Sequence, residues 1–442
     1  MVSIRVYFCF FRSFIFYLFG INSPEKIAFK SFLGKSFRIP EKDKNSIRFI
    51  AVVFFQVIGK IWSAKIIARP RTNFLTAIYD VSPTSVELRK GYLACYHPEE
   101  KIDDFLFKET LLSSYFSRLD KLSDFFSFFF VSLLLFPFCL FRRTKGYFAM
   151  IPQELIETNQ LVRHVERKKI NRLFFFCIYE KDANFASLVL LHFRKEHYKI
   201  TSEVPLAVWN RNIVADKICC CFHYQLEEIE FFKKSICYSE ILLWGPERAH
   251  LVLPLYAQTK MVQEILSKST NKIGFYSTGG WLREKLGHLD QGLNFVDNEK
   301  TVLDALIGYC KSEKKCLSVF LHPREKSELY REETFKRYEH LLKGVDYEYA
   351  NLNAATSELF HHVNLAVAFA STVVFERLYF GFKTIIMPVG FTDFPLQGTA
   401  IESICAGSGN ELAVKIRESM PLTTADFFRT NQLGSYSTYS WK

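Results

Sequence analysis

The stretch LAVAFASTVVFERLYFGFKTIIMP at positions 365–388 reads as strand, helix, strand. Leu365 to Phe369 is an unbroken apolar run of strand length. Ser371 and Thr372 bring helix-capping hydroxyls, residues 373–380 carry helical spacing, and 384–388 is a second apolar run. Strands without a polar alternate are buried on both faces, and two of them joined by one helix make a parallel crossover. This stretch therefore predicts a parallel sheet wrapped by helices.

The same alternation continues upstream. Residues 273–276 form a short strand before Ser277-Thr278-Gly279-Gly280 and a helix from Trp281 to Leu286. A helix at 301–310, a strand at 315–321 ending in His322-Pro323-Arg324, a helix at 328–342, a strand at 346–350 and a helix at 356–363 follow. An earlier series has strands at 172–179, 205–209, 218–224 and 239–244, with helices at 183–196 and 225–234. The expected fold class is α/β, with two Rossmann-like doubly wound domains facing across a cleft, at 165–260 and 270–420. A basic, Phe-rich, mainly helical segment precedes them at 1–150. The Ser-, Thr- and Tyr-rich tail from Thr423 reads as loose.

At 442 residues the chain exceeds what one hydrophobic core usually spans, and 49% hydrophobic with 23% charged residues excludes a largely disordered protein. A mean hydropathy of +0.03 excludes a polytopic membrane protein. The net charge of +11 is concentrated, since positions 1–70 hold twelve Lys or Arg against Glu25, Glu41 and Asp43. Basic residues interleaved with Phe, as in Arg5 to Phe14, suit an anionic membrane surface better than nucleic acid, for which no recognition signature is present. The apolar run at 125–141 contains Pro137 and is closed by Arg142, Arg143 and Lys145. It reads as a buried helix, an interfacial helix or a short span. Eleven scattered cysteines without a Cys-x-x-Cys pair read as reduced, mostly buried thiols of a cytoplasmic protein. Adjacent Cys219, Cys220 and Cys221 on a strand alternate sides and make a poor metal site.

In an open parallel sheet, ligands bind beyond the carboxyl ends of the strands. Three such ends carry chemistry. Ser277, Thr278, Gly279 and Gly280 form a turn whose glycines let the backbone approach a ligand before a helix N-terminus suited to phosphate. His322, fixed by Pro323 and accompanied by Arg324, is placed to donate to a phosphate oxygen or protonate a leaving group. Ser371 and Thr372 cap a helix and can bond a phosphate, with Glu376 one turn on for ribose hydroxyls. Each also has a purely structural reading, as turn, surface histidine or helix cap. Asp182, just after the first strand of the earlier series, is the candidate base, or else a helix cap.

A His-Pro pair after one strand of the second domain, His322-Pro323, and a hydroxyl pair opening a later helix, Ser371-Thr372, resemble those of the bacterial sialyltransferases. Their relatives include the polysialic acid and Kdo transferases of GT-B architecture and, more distantly, the teichoic-acid polyol-phosphate polymerases. The resemblance covers about 171–395. It implies a glycosyltransferase of surface polysaccharide synthesis in which these residues hold the phosphate of a CMP-linked sugar. The acidic pair followed by glycine that supplies the base in that family is absent, and Glu180-Lys181-Asp182 is the nearest substitute. The expected reaction is inverting transfer, without metal or other cofactor, from a nucleotide-activated sugar to a glycan or lipid-linked acceptor on the inner face of the cytoplasmic membrane. The alternatives are transfer of polyol phosphate from a CDP donor and a non-catalytic membrane-associated protein of the same fold.

Overall fold

Short apolar runs alternating with amphipathic segments settle into two large parallel sheets, beside two short two-stranded ones, among the described residues. The computed structural model describes residues 2–33, 47–67, 75–80, 85–99, 101–111, 113–141, 145–176, 182–201, 212–257, 271–286, 294–369, 371–390 and 397–438. The chain divides into two compact units, one of residues 1–221 and 229–244, the other of 222–228 and 245–442. The path therefore passes from the first unit to the second, back, and across again.

In the first unit, β1 (Thr76–Asp80), β2 (Asp104–Phe107), β3 (Arg172–Phe175), β4 (Glu196–Thr201), β5 (Lys217–Cys220) and β6 (Glu240–Leu243) form one sheet in the order β6-β5-β4-β3-β1-β2. Every neighbouring pair is parallel. Two of its strands thus come from the segment 1–150, which the sequence pattern set apart from the α/β domains. β1 lies inside the sheet between β3 and β2. β4 differs from expectation as well: the helix expected over 183–196 ends at His192, and Glu196 opens a strand over residues to which the sequence pattern assigned none. Cys219 and Cys220 are buried on β5, with Cys221 just beyond it. The expected strand at 205–209 lies outside the described residues.

The helices α1 (Val2–Leu18), α2 (Pro24–Leu33), α3 (Ile47–Ser63), α4 (Arg118–Phe141), α5 (Lys145–Arg167) and α6 (Asp182–His192) belong to the same unit. α1 buries Val6, Cys9, Phe10, Ser13 and Phe14, three or four residues apart on one face. Phe10 packs against Phe29 of α2 at 6.0 Å and Phe185 of α6 at 6.3 Å. The N-terminal helices thus share the core of the α/β unit, joining Val6 and Phe10 to Leu173 and Phe175 of β3.

The apolar run at 125–141 falls within α4, and Pro137 is accommodated inside the helix. One side of α4 buries Phe128, Val131 and Leu135. Among the described residues no helix is long and apolar enough to cross a membrane. On the inner side of α4, the fully buried Asp124 accepts from Arg163 of α5 at 2.7 and 2.8 Å, from Asn159 at 2.6 Å and from Gln160 at 2.5 Å. A buried charge persists only when its lone pairs are satisfied, so this network fixes how α4 and α5 meet.

The second unit holds β7 (Lys272–Tyr276), β8 (Cys316–Phe320), β9 (Tyr347–Tyr349), β10 (Leu365–Ala368) and β11 (Lys383–Ile386), all parallel, in the order β9-β8-β7-β10-β11. Its helices include α7 (Gly280–Lys285), α8 (Phe295–Glu313) and α9 (Thr372–Tyr379). α8 buries Val302, Leu303, Leu306 and Cys310 in the core shared with Phe275, Val319 and Val367. Arg377 of α9 is fully buried, donating to Tyr276 Oη and to the carbonyls of Phe360 and Lys383. The segment 222–228 belongs here too, with the Tyr224 ring tilted against Phe375 at 3.8 Å between centroids. The tail is not loose: Thr423 caps a helix over Thr424–Thr430, and Phe427 and Phe428 are buried. Two consecutive aromatics outweigh the polar composition on which that expectation rests.

Candidate functional site

In the second sheet the chain starts at β7, moves to β8 and β9 on one side, then returns to β10 and β11 on the other. The strand order reverses between β7 and β10, and such a reversal opens a crevice beyond the strand ends. Tyr276, the last residue of β7, pairs with Phe320 of β8 and Ala368 of β10. The turn at 277–280, His322 and the pair Ser371-Thr372 therefore leave three adjacent strands on the same edge. Sequence spacing suggests this convergence, and the register produces it.

The turn is tighter than its sequence announces. Gly279 has a left-handed φ of +67°, and a Cβ there would stand 3.2 Å from His322 Cγ. Glycine is required because the backbone packs against the imidazole. The amides expected to face a phosphate are already engaged. Thr278 N and Gly280 N donate to Glu299 of α8, at 2.5 and 3.1 Å, and Gly279 N donates to Ser277 Oγ at 3.0 Å. A carboxylate of the chain itself thus occupies the place at which Ser277, Thr278, Gly279 and Gly280 were expected to hold an anion, and their role becomes that of a floor beneath His322.

Glu325 completes that floor. It is fully buried, accepting from Trp281 Nε1 at 2.6 Å and from His322 N at 2.9 Å. Burial, together with the nearby Glu299 carboxylate, pushes Glu325 up to about 7, against the pull of Ser277, the His322 amide and the Trp281 indole. Burial raises Glu299 as well, opposed by the two turn amides. Sequence reading passes over both carboxylates. The available signal is Glu325 three residues after His322 in the same short turn.

His322 is held at about 4 by burial, then by the positive charges of Arg283 and Arg324. Its ring is neutral at neutral pH, and Nδ1 accepts from the Arg324 amide at 3.2 Å. The ring proton therefore resides on Nε2, which becomes a hydrogen-bond donor rather than a proton source. Pro323 and Arg324 are exposed beside it.

On the next strand, Ser371 caps α9 by accepting from Val373 N at 3.4 Å, so its structural role is present. Thr372 is half-buried. Glu376 is pushed up to about 7 by burial, with Arg248 lowering and Glu247 raising it. It thus sits toward the segment leading into the helix Ala249–Ala257. Asp182 is the first residue of α6, in the first unit.

Comparison with known proteins gives fold-level likenesses alone. No protein-family profile and no curated protein matches the chain. Among solved structures, MurG of Acinetobacter baumannii aligns at 10% identity over 82% of this chain and 97% of its own, with a TM-score of 0.46. A UDP-GlcNAc 2-epimerase of Methanocaldococcus jannaschii, in complex with UDP-GlcNAc and UDP, aligns at 10% identity over 79% and 93%, with a TM-score of 0.45. Anabaena HepE, in complex with UDP and glucose, aligns at 12% identity over 83% and 96%, with a TM-score of 0.42. Scores this low assign no activity.

What the site can do chemically follows from its own groups. A neutral imidazole N–H, the Arg283 and Arg324 guanidiniums and a capped helix start flank the crevice, while the carboxylates Glu299 and Glu325 are turned inward under the turn. The outer edge is therefore suited to an anion.

Proposed function

We propose that the chain is a nucleotide-sugar-dependent glycosyltransferase of GT-B type. The observation that carries this reading is the placement of the 277–280 turn, of His322 with Arg324, and of Ser371-Thr372 beyond three adjacent strands at the reversal point of the second sheet. The donor phosphate rests on His322 Nε2–H, Arg324 and the hydroxyls of Ser371 and Thr372, and Glu376 takes the ribose. An acceptor hydroxyl loses its proton to a carboxylate, assigned to Asp182, and its oxygen attacks the anomeric carbon with inversion. The bond from that carbon to the phosphate oxygen breaks, and the charge gathering on the phosphate is met by groups already oriented toward it. A ring with a pKa of about 4 serves here by donating a hydrogen bond, not by protonating the leaving group.

Resemblance at His322-Pro323 and Ser371-Thr372 favours a CMP-linked donor carrying a sialic-acid-like or Kdo-like sugar, and a surface-polysaccharide or lipid-linked acceptor. Thermal unfolding with CMP, CDP, UDP and GDP tests the reading, because a ligand bound only by the folded state raises the melting temperature. CMP is expected to give the largest rise, abolished in His322→Ala and reduced in Ser371→Ala. Absence of a rise with any nucleotide, or an undiminished rise in His322→Ala, overturns the assignment of this site.

A further inference from the structure

The side of α4 turned away from the protein is aromatic. Phe126 is 66% exposed, Phe130 58% and Leu133 64%, with Phe129 and Phe136 also exposed, while Phe128, Val131 and Leu135 fill the core on the opposite side. A helix apolar on both sides has two apolar surroundings, and here the protein supplies only one. The surface extends across its neighbours. Phe130 meets Phe11 of α1 at 6.5 Å, and Phe129 meets Phe54 of α3 at 6.1 Å. α1 adds exposed Ile4 and Phe8, and α3 adds exposed Phe55 and Trp62, the last 72% exposed.

The charge around these rings has one sign. Arg5 and Arg12 of α1, Arg48 and Lys60 of α3, Lys65 beyond it and Arg118 at the head of α4 reach the surface. Among the described residues of 2–67, Glu25 is the one acid, and it is buried and paired with Arg12 at 3.0 Å. On α4, Asp124 is buried and Asp120 is paired with Arg167. The three helices thus present no exposed carboxylate among the described residues.

We propose that this face, formed by α1, α3 and α4, seats the protein on the surface of an anionic lipid bilayer. The rings enter the zone between headgroups and acyl chains, and the guanidinium and ammonium groups meet the lipid phosphates. The charge decides among occupants: a second copy would bring two basic rims together, whereas an anionic bilayer offers both an apolar layer and the opposite charge. The proposal does not depend on the transferase reading, since all these residues belong to the first unit.

The test is co-sedimentation of the full chain with vesicles of phosphatidylcholine mixed in equal parts with phosphatidylglycerol, and with vesicles of phosphatidylcholine alone. Binding to the mixed vesicles is expected, weaker by about tenfold or more on the neutral ones and falling with added salt. The triple variant Phe126→Ser, Phe129→Ser, Phe130→Ser should lose about tenfold or more in partitioning while keeping the wild-type melting temperature. Trp62 gives a readout without those substitutions: its emission should shift to the blue and be quenched by brominated acyl chains, and Trp62→Phe should remove that component. Failure to bind the mixed vesicles, equal binding by the triple variant, or a wild-type dimer that the triple variant dissociates would each overturn the proposal.

Discussion

Replacing Glu325 by Gln should change how stability depends on pH, in a direction fixed by its surroundings. In the unfolded chain this carboxyl titrates at its ordinary value of 4.5, whereas in the folded protein it titrates at about 7. Below 4.5 it is protonated in both states and its contribution is fully present. As pH rises through the folded value, the native state must carry a buried charge that the unfolded chain carries in water, and stability is lost. The interval from 4.5 to about 7, at about 1.4 kcal/mol per pH unit, corresponds to about 3 kcal/mol. In Glu325→Gln the amide would retain one acceptor for Trp281 Nε1 or the His322 amide and forfeit the other, a penalty of about 1–2 kcal/mol that does not vary with pH. The variant should therefore be less stable than wild type at pH 4.5 and gain on it by about 3 kcal/mol by pH 8. Urea unfolding of both proteins across this range measures the difference. A gap that stays constant with pH would refute the buried-carboxylate account of the turn.

His322 runs the opposite way: its pKa is depressed from 6.5 to about 4, so its contribution is present above 6.5 and lost as pH falls through 4, and His322→Asn should lose less stability on acidification than wild type. Gly279→Ala places a Cβ 3.2 Å from the imidazole at a left-handed φ. It should cost about 1–2 kcal/mol in chemical unfolding and abolish the nucleotide-induced melting shift, which a purely local turn defect would leave intact. Arg163→Met strips the buried Asp124 of its bidentate partner and should destabilise the first unit by about 3–5 kcal/mol, read by the urea midpoint.

The second sheet is legible because its strands are short apolar runs punctuated by Gly, His-Pro and hydroxyl pairs, and those punctuations are the strand ends that converge at the crevice. The first sheet is half legible. β1 and β2 lie within a segment so rich in Phe that neither a period of two nor one of 3.6 stands out, and composition points to a separate membrane segment where the chain builds an interior strand. Tertiary context alone reveals the occupant of the glycine turn, because Glu299 lies ahead of the helix expected at 301–310 and nothing local marks it as facing Thr278 N and Gly280 N. The same holds for His322, whose neutrality follows from burial and, beside Arg324, from the Arg283 guanidinium that linear spacing does not bring to it.

The chain's double crossing between units bears on biosynthesis. Residues 222–228 leave the ribosome between strands of the first sheet, yet Phe375, against which Tyr224 packs, is made about 150 positions later. During that interval Phe222 and Tyr224 are side chains without their destination, so the first unit matures with an aromatic hook still extended. Severing the gene near position 245 would strand that hook on the wrong fragment. The two halves are therefore expected to complement poorly when produced as separate polypeptides, even though each possesses a sheet of its own.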